Sequence, residues 1–146
     1  MTVYVKQATD LELKQKYAQA ALDNFLYNPG WMLEDELLGI SSGDHVHFID
    51  ICLAYTDVEK EPIGVALYYK AGVERDEDNY SPFPEQSVIC FVSVKHRRRG
   101  VGKLLVNGFN VPPANMKAWK GDLGSGRFWN KVGANFCGDW TNSYTW

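Results

Sequence analysis

Apolar positions along the chain change period several times, and each change predicts an element. Val3-Tyr4-Val5 is a short β-branched run that predicts a first strand. Thr9-Asp10-Leu11-Glu12 has the capping-box spacing, with Thr9 as N-cap and Glu12 three residues on. Leu13, Tyr17, Ala20 and Ala21 then continue one helix face to about Leu26, where Asn28-Pro29-Gly30 breaks it. A shorter helix is predicted over residues 31–40, with Glu34, Asp35 and Glu36 as a solvated acidic face, and Ser41-Ser42-Gly43-Asp44 as a turn. Residues 46–55 and 63–70 alternate as two strands joined by the polar loop 56–62, an antiparallel hairpin. Residues 72–84 form a long acidic, proline-bearing loop, either a mobile connection or a substrate-gating segment.

The apolar run 88–94 predicts a buried strand, followed by the basic, glycine-bearing turn His96-Arg97-Arg98-Arg99-Gly100. Val101, Leu104, Leu105 and Gly108 then recur at helical spacing, with Lys103 and Asn107 opposite, until Pro112-Pro113 stops the helix. Residues 116–120 make a brief strand reached by a crossover, and so parallel to 88–94. Asp122 or Ser125 caps a fourth helix ending near Gly133, and residues 136–146 supply one or two terminal strands. The order is a β-meander followed by βαβα. The expected class is α/β, one mixed sheet with helices on both faces, and residues 1–146 form a single domain.

Composition narrows this little but excludes several classes. At 146 residues the chain has the size of one domain with a real core. A net charge of −3 argues against general nucleic-acid binding, although basic residues are dense from Lys95 to Lys103. No apolar run approaches a membrane span, and the start lacks the pattern of a secretory signal. Cys52, Cys90 and Cys137 are odd in number and widely spaced, and read as reduced, mostly buried thiols of a cytoplasmic protein.

The strand, basic turn and helix around Gly100 carry the chemistry. This order aims the free amides and positive dipole end of a helix at whatever occupies the turn, an arrangement suited to phosphate. Gly100 and Gly102 let backbone and ligand approach closely, and Arg97, Arg98, Arg99 and Lys103 add charge of the matching sign. The competing reading is a solvated basic turn or a nucleic-acid patch. His45-x-His47 on one strand face, with Asp44 or Asp50 near, lacks a third well-placed metal ligand, so no metal is expected. His47 is instead a candidate base.

Arg97-x-x-Gly100-x-Gly102 resembles the pyrophosphate loop of the GNAT N-acetyltransferases, and Arg127-Phe128-Trp129-Asn130-Lys131-Val132-Gly133 is similar to that family's Phe-Tyr-Glu-Lys-Leu-Gly helix. The two motifs cover about the C-terminal third. The resemblance implies the GNAT fold, a mixed, mostly antiparallel sheet in which two parallel strands splay apart. It also implies acetyl-coenzyme A as acyl donor, its pantetheine arm bonding to Val92 and Val94. Its diphosphate would lie on Arg97, Arg98, Arg99, Gly100, Val101, Gly102 and Lys103, with Phe128 and Trp129 as walls. The implied reaction is acetyl transfer to an amine of a small molecule or protein, by direct attack in a ternary complex. Gln86 stands at the family's basic glutamate position and Trp129 at its acidic tyrosine, so Glu85, Gln86 and His47 are the catalytic candidates. Tyr27, Trp31 and Glu34, around the junction of the first two helices, are the acceptor-site candidates. The alternative is an acyl-coenzyme-binding sensor with little or no catalysis. Monomer and homodimer are both compatible.

Overall fold

The computed structural model describes residues 2–25, 31–44, 46–58, 60–75, 85–96, 100–112, 115–119, 135–136 and 143–145. Seven strands form one sheet: β1 (Val3–Gln7), β2 (Ile49–Thr56), β3 (Gly64–Tyr69), β4 (Ser87–Val92), β5 (Lys117–Trp119), β6 (Asn135–Phe136) and β7 (Ser143–Thr145). Their spatial order is β1-β2-β3-β4-β5-β7-β6. The first four strands are an antiparallel meander, and β4 pairs with β5 in parallel. Three helices are described: α1 (Leu11–Phe25), α2 (Trp31–Ser41) and α3 (Val101–Asn107). The expected α/β mixed sheet with helices on both faces is therefore the architecture found. The fourth helix predicted before Gly133 lies outside the described residues.

Strand alternation sorts the side chains into two cores. Ile49, Ile51 and Leu53 of β2, with Val65, Leu67 and Tyr69 of β3, pack under α1 and α2, which contribute Ala18, Ala21, Leu22, Leu33, Leu37 and Ile40. The intervening positions Cys52, Ala54, Ala66, Tyr68 and Val88 face α3 and its Val101, Leu105 and Val106. A helix of seven residues is marginal by itself, so burial of these three side chains, roughly 1.5–3 kcal/mol each, decides where α3 sits. Gly64 permits that position, since a Cβ there would lie 2.9 Å from Leu105 Cδ1 and 3.1 Å from the Phe91 carbonyl oxygen.

Several boundaries differ from the sequence reading, each for a local reason. Asp10, not Thr9, caps α1: its carboxylate accepts a hydrogen bond from the Leu13 amide at 2.8 Å. The turn at Ser41–Asp44 closes α2 as a Schellman motif, with the Asp44 amide donating to Gly39 O, the Gly43 amide to Ile40 O, and Gly43 at φ 88°. Glu36 is not on a solvated face but is 3 % exposed, while Asp35 is exposed. β2 begins at Ile49, and residues 46–48 form a turn. α3 ends at Asn107 with Gly108 as C-cap, well before Pro112, and it buries Val106 while Leu104 is 43 % exposed. The apolar run after Val92 does not continue as strand: Val94–His96 is a single 3-10 turn.

Candidate coenzyme slot and phosphate loop

The site is built where β4 leaves β5. Among the described residues their parallel ladder holds two residue pairs, Ser87 with Lys117 and Val88 with Ala118. One step further, Trp119 is laddered to Ser143 of β7, whereas β4 continues to Val92 in register with Gly64 of β3. Among the described residues no β4–β5 pair forms beyond Val88, so the parallel ladder is not continued through Trp119. The side of β4 turned away from β3 is the one that strand addition by an extended ligand requires.

Along the chain, β4 is followed by the 3-10 turn Val94–His96 and then by α3. Gly100 is its N-cap, exposed, in the left-handed conformation at φ 78° and ψ 8°, and no side chain caps the helix. The first intrahelical bond runs from the Leu104 amide to Gly100 O at 3.2 Å, so the amides of Val101, Gly102 and Lys103 precede the helical ladder. Val101 and Gly102 are buried and Lys103 is exposed, which leaves the first turn anchored below and charged above. These groups fit a diphosphate: donors without a side-chain cap, at a glycine whose conformation costs a residue without Cβ nothing.

The other candidates are placed as follows. Val92 ends β4 half-buried on the α3 side. Val94 lies in the 3-10 turn and not on the strand, so it offers no strand edge to a pantetheine arm. Arg97, Arg98, Arg99, Phe128, Trp129 and Tyr27 lie outside the described residues, and Trp31 is the first residue of α2. Glu34 is half-buried in the first turn of α2. Glu85 and Gln86 sit in the turn before β4, where strand alternation does not apply. Glu85 is exposed; Gln86 has φ 68° and its amide donates to Tyr69 O at 2.6 Å. Both adjoin Ser87, in the first pair of the parallel ladder.

His47 is not on a strand face either. It lies in the turn before β2, its Nε2 3.1 Å from the Glu74 carbonyl oxygen and its ring edge-on to Phe48 at 5.0 Å. That hydrogen bond ties the imidazole to the segment after β3, which also sets Arg75 over the Phe48 ring at 4.6 Å. Among the described residues no group of three or more His, Cys, Asp or Glu side chains is placed to hold a metal ion. Nor is any helix there long and apolar enough to cross a membrane.

Two thiols lie in the α3 core, and neither suits nucleophilic work. Burial pushes the Cys52 thiol up to about 12, with the Asp50 carboxylate adding to it, and burial alone takes Cys90 to about 12. The unfolded thiols ionise near 9.0 while the folded ones keep their protons to about 12. The unfolded state therefore binds fewer protons across that window, and stability falls as pH rises through it, by at most about 1.4 kcal/mol per pH unit for each thiol. Urea midpoints measured at pH 8 and above pH 10 should diverge, and should diverge less in a Cys52→Ala/Cys90→Ala variant.

A residue set that pattern reading did not find lies just past the end of β4. Asn24, Lys60, Glu61, Pro62, Ile63, Ser93, Lys95 and His96 line a cleft of about 550 Å³. They come from three separate segments, and only the adjacency of Lys95 and His96 to the basic turn signals them in sequence.

No family model matches the chain, and no curated protein sequence matches it. Solved structures do resemble it. A histone acetyltransferase and related acetyltransferase of Corynebacterium glutamicum superposes with a TM-score of 0.58 at 18 % identity, over 92 % of this chain and 86 % of that one. An acetyltransferase of Thermus thermophilus gives 0.54 at 16 % identity, over 100 % and 95 %. AAC(6')-Iy, in complex with the bisubstrate analogue CoA-S-monomethyl-acetylneamine, gives 0.53 at 18 % identity, over 91 % and 90 %. With its meander, its two parallel strands and the helix that follows, this chain has the GNAT acetyltransferase fold.

Proposed function

We propose that this protein transfers an acetyl group from acetyl-coenzyme A to an amine, by direct attack within a ternary complex. The observation that carries the reading is the two-pair parallel ladder between β4 and β5 among the described residues, together with the N-terminus of α3, where Gly100 makes no side-chain cap hydrogen bond. The fold shared with acetyltransferases, one of them solved with a coenzyme-containing bisubstrate analogue, supports it. The whole chain acts as one domain, since the sheet runs from β1 near its start to β7 near its end.

In this reading the amides of Val101, Gly102 and Lys103 take the diphosphate, together with Arg97, Arg98 and Arg99. The pantetheine arm lies along β4 towards Val92, with Phe128 and Trp129 beside it. The thioester then reaches the paired end of β4 near Val88. Holding it beside an amine can contribute roughly 7–11 kcal/mol through proximity. An alkyl amine with a pKa near 10.4 is neutral only about once in a few thousand molecules at pH 7, so a proton acceptor is needed. Glu85 is the carboxylate adjoining that end, and it takes the proton through water; Gln86 orients the acceptor. Tyr27, Trp31 and Glu34 border the acceptor side.

Thermal unfolding with and without acetyl-coenzyme A tests this. At a hundredfold excess over Kd the coenzyme is expected to add about 2.7 kcal/mol of stability. A folded Gly102→Val variant is expected to lose that gain. Release of free thiol with an amine library then separates enzyme from sensor: binding without release under any amine favours the sensor.

A further inference from the structure

The sheet has two edges of unequal length among the described residues. β6 holds two residues, while β1 holds five and runs alongside β2 for its whole length. A very short edge strand offers little to pair with, whereas a longer one presents a row of open main-chain groups. Register decides which groups those are. The Ala8 amide donates to Ile51 O at 3.0 Å and the Asp57 amide to Thr2 O at 3.1 Å, both in the ladder that pairs Tyr4 with Tyr55 and Lys6 with Leu53. The even-numbered residues therefore bond to β2, and the N–H and C=O groups of Val3, Val5 and Gln7 point away from it. No described strand covers them, and β1 carries no proline.

The side chains follow the same alternation. Val3 and Val5 are half-buried against the α3 core, while Tyr4, 42 % exposed, and Lys6, also exposed, occupy the other face. Lys6 Nζ stands 5.7 Å from the centroids of both Tyr4 and Tyr55, whose rings stack at 5.9 Å. This face of the edge thus already takes an ammonium over its aromatic rings.

We propose that β1 docks a second copy of this chain, the two β1 strands pairing antiparallel about a two-fold axis at Val5. Such a contact needs a surface complementary to itself, and Val3-Tyr4-Val5-Lys6-Gln7 is one. In that register Val5 meets the partner's Val5, Val3 meets the partner's Gln7, and Tyr4 meets the partner's Lys6. Every outward N–H and C=O of Val3, Val5 and Gln7 is then bonded across the axis, and the Tyr–Lys pair occurs twice. Neighbouring registers are worse: centring on Lys6 sets ammonium against ammonium, and centring on Tyr4 leaves Gln7 without a partner in the strand. Lys6 is a charge that discourages most strands from adding to this edge. Only a strand with a matching aromatic opposite it accommodates that charge, which singles out a second copy over an unrelated peptide.

Sedimentation velocity from about 1 µM to about 1 mM covers the affinities that a small strand-paired interface reaches. The wild type is expected to pass from monomer to dimer within that range. Val5→Pro deletes an N–H that points away from β2, so it is expected to keep the fold and abolish the dimer. Tyr4→Lys and Tyr4→Glu alter one exposed position and separate register from general damage. A lysine there stands directly opposite the partner's Lys6, twice over, and is expected to raise the dimer Kd by about tenfold or more. A glutamate stands opposite the same ammonium and is expected to keep Kd within about threefold of the wild type. A wild type that stays monomeric to the top of the range overturns the proposal. So does a dimer that Tyr4→Lys leaves intact, or one that Tyr4→Lys and Tyr4→Glu weaken equally, and both readouts stand even if Val5→Pro fails to fold.

Discussion

Replacing Lys14 with alanine is expected to lower the unfolding free energy by about 3 kcal/mol, equivalent to a Tm lower by roughly 10 °C. Lys14 belongs to α1, yet its side chain is only 7 % exposed; its Nζ lies 3.1 Å from the Asp50 carboxylate and donates to Val46 O at 2.8 Å. Those contacts tie the first helix to the turn that starts β2. Removing the ammonium leaves a largely buried carboxylate whose other cation, Lys70, stands at 4.0 Å, and a backbone carbonyl that has lost its donor. Most of the expected cost is this stranded charge and not the worth of the pair itself. A Lys14→Met/Asp50→Leu double variant should therefore recover much of the loss, because it leaves no buried charge stranded, although the Val46 carbonyl still lacks its donor. A cost below about 1 kcal/mol in urea unfolding would show instead that water replaces the lysine at no penalty.

Gly64→Val should weaken coenzyme binding at least tenfold in addition to costing about 1–3 kcal/mol of stability. The first Cβ would meet Leu105 Cδ1 at 2.9 Å and Phe91 O at 3.1 Å, with Val101 Cγ1 at 3.5 Å. The carbonyl belongs to β4 and yields least, so the accommodation falls on Val101 and Leu105 and lifts α3 from the sheet. Val101 is the first residue of that helix, and its displacement carries the first-turn amides with it. Leu37→Ala, in the core under α1 and α2, provides the contrast. It is expected to cost about 2–5 kcal/mol and to leave coenzyme affinity unchanged. Equal affinity in both variants would mean that those amides do not hold the ligand.

Much of this architecture was legible without coordinates, wherever the signal was local. Hydrophobic period and turn chemistry located β1, α1, α2, the β2–β3 hairpin and α3 to within a few residues, because side chains three or four apart on a helix, or two apart on a strand, share one face whatever else the chain does. Gly43 and Gly100 marked turns for the same reason: a left-handed backbone is cheap only without a Cβ. Local pattern failed where two elements competed for one residue. Asp10 outcompeted Thr9 for the cap by donor geometry, and β4 stopped at Val92, where a 3-10 turn takes over and the apolar run continues regardless.

The order and kind of the described elements up to α3, and the glycines at the bends, were thus determined by the sequence alone. Tertiary structure decided the rest. Where the parallel ladder of β4 and β5 ends is set by how two segments about thirty residues apart are placed in the sheet, which neither segment's own pattern records. The burial of Lys14 and Glu36, and the meeting of Lys60 with Lys95 and His96 in one cleft, came equally from packing. Periodicity records which way a side chain faces on its own element; what it faces is set by elements tens of residues away.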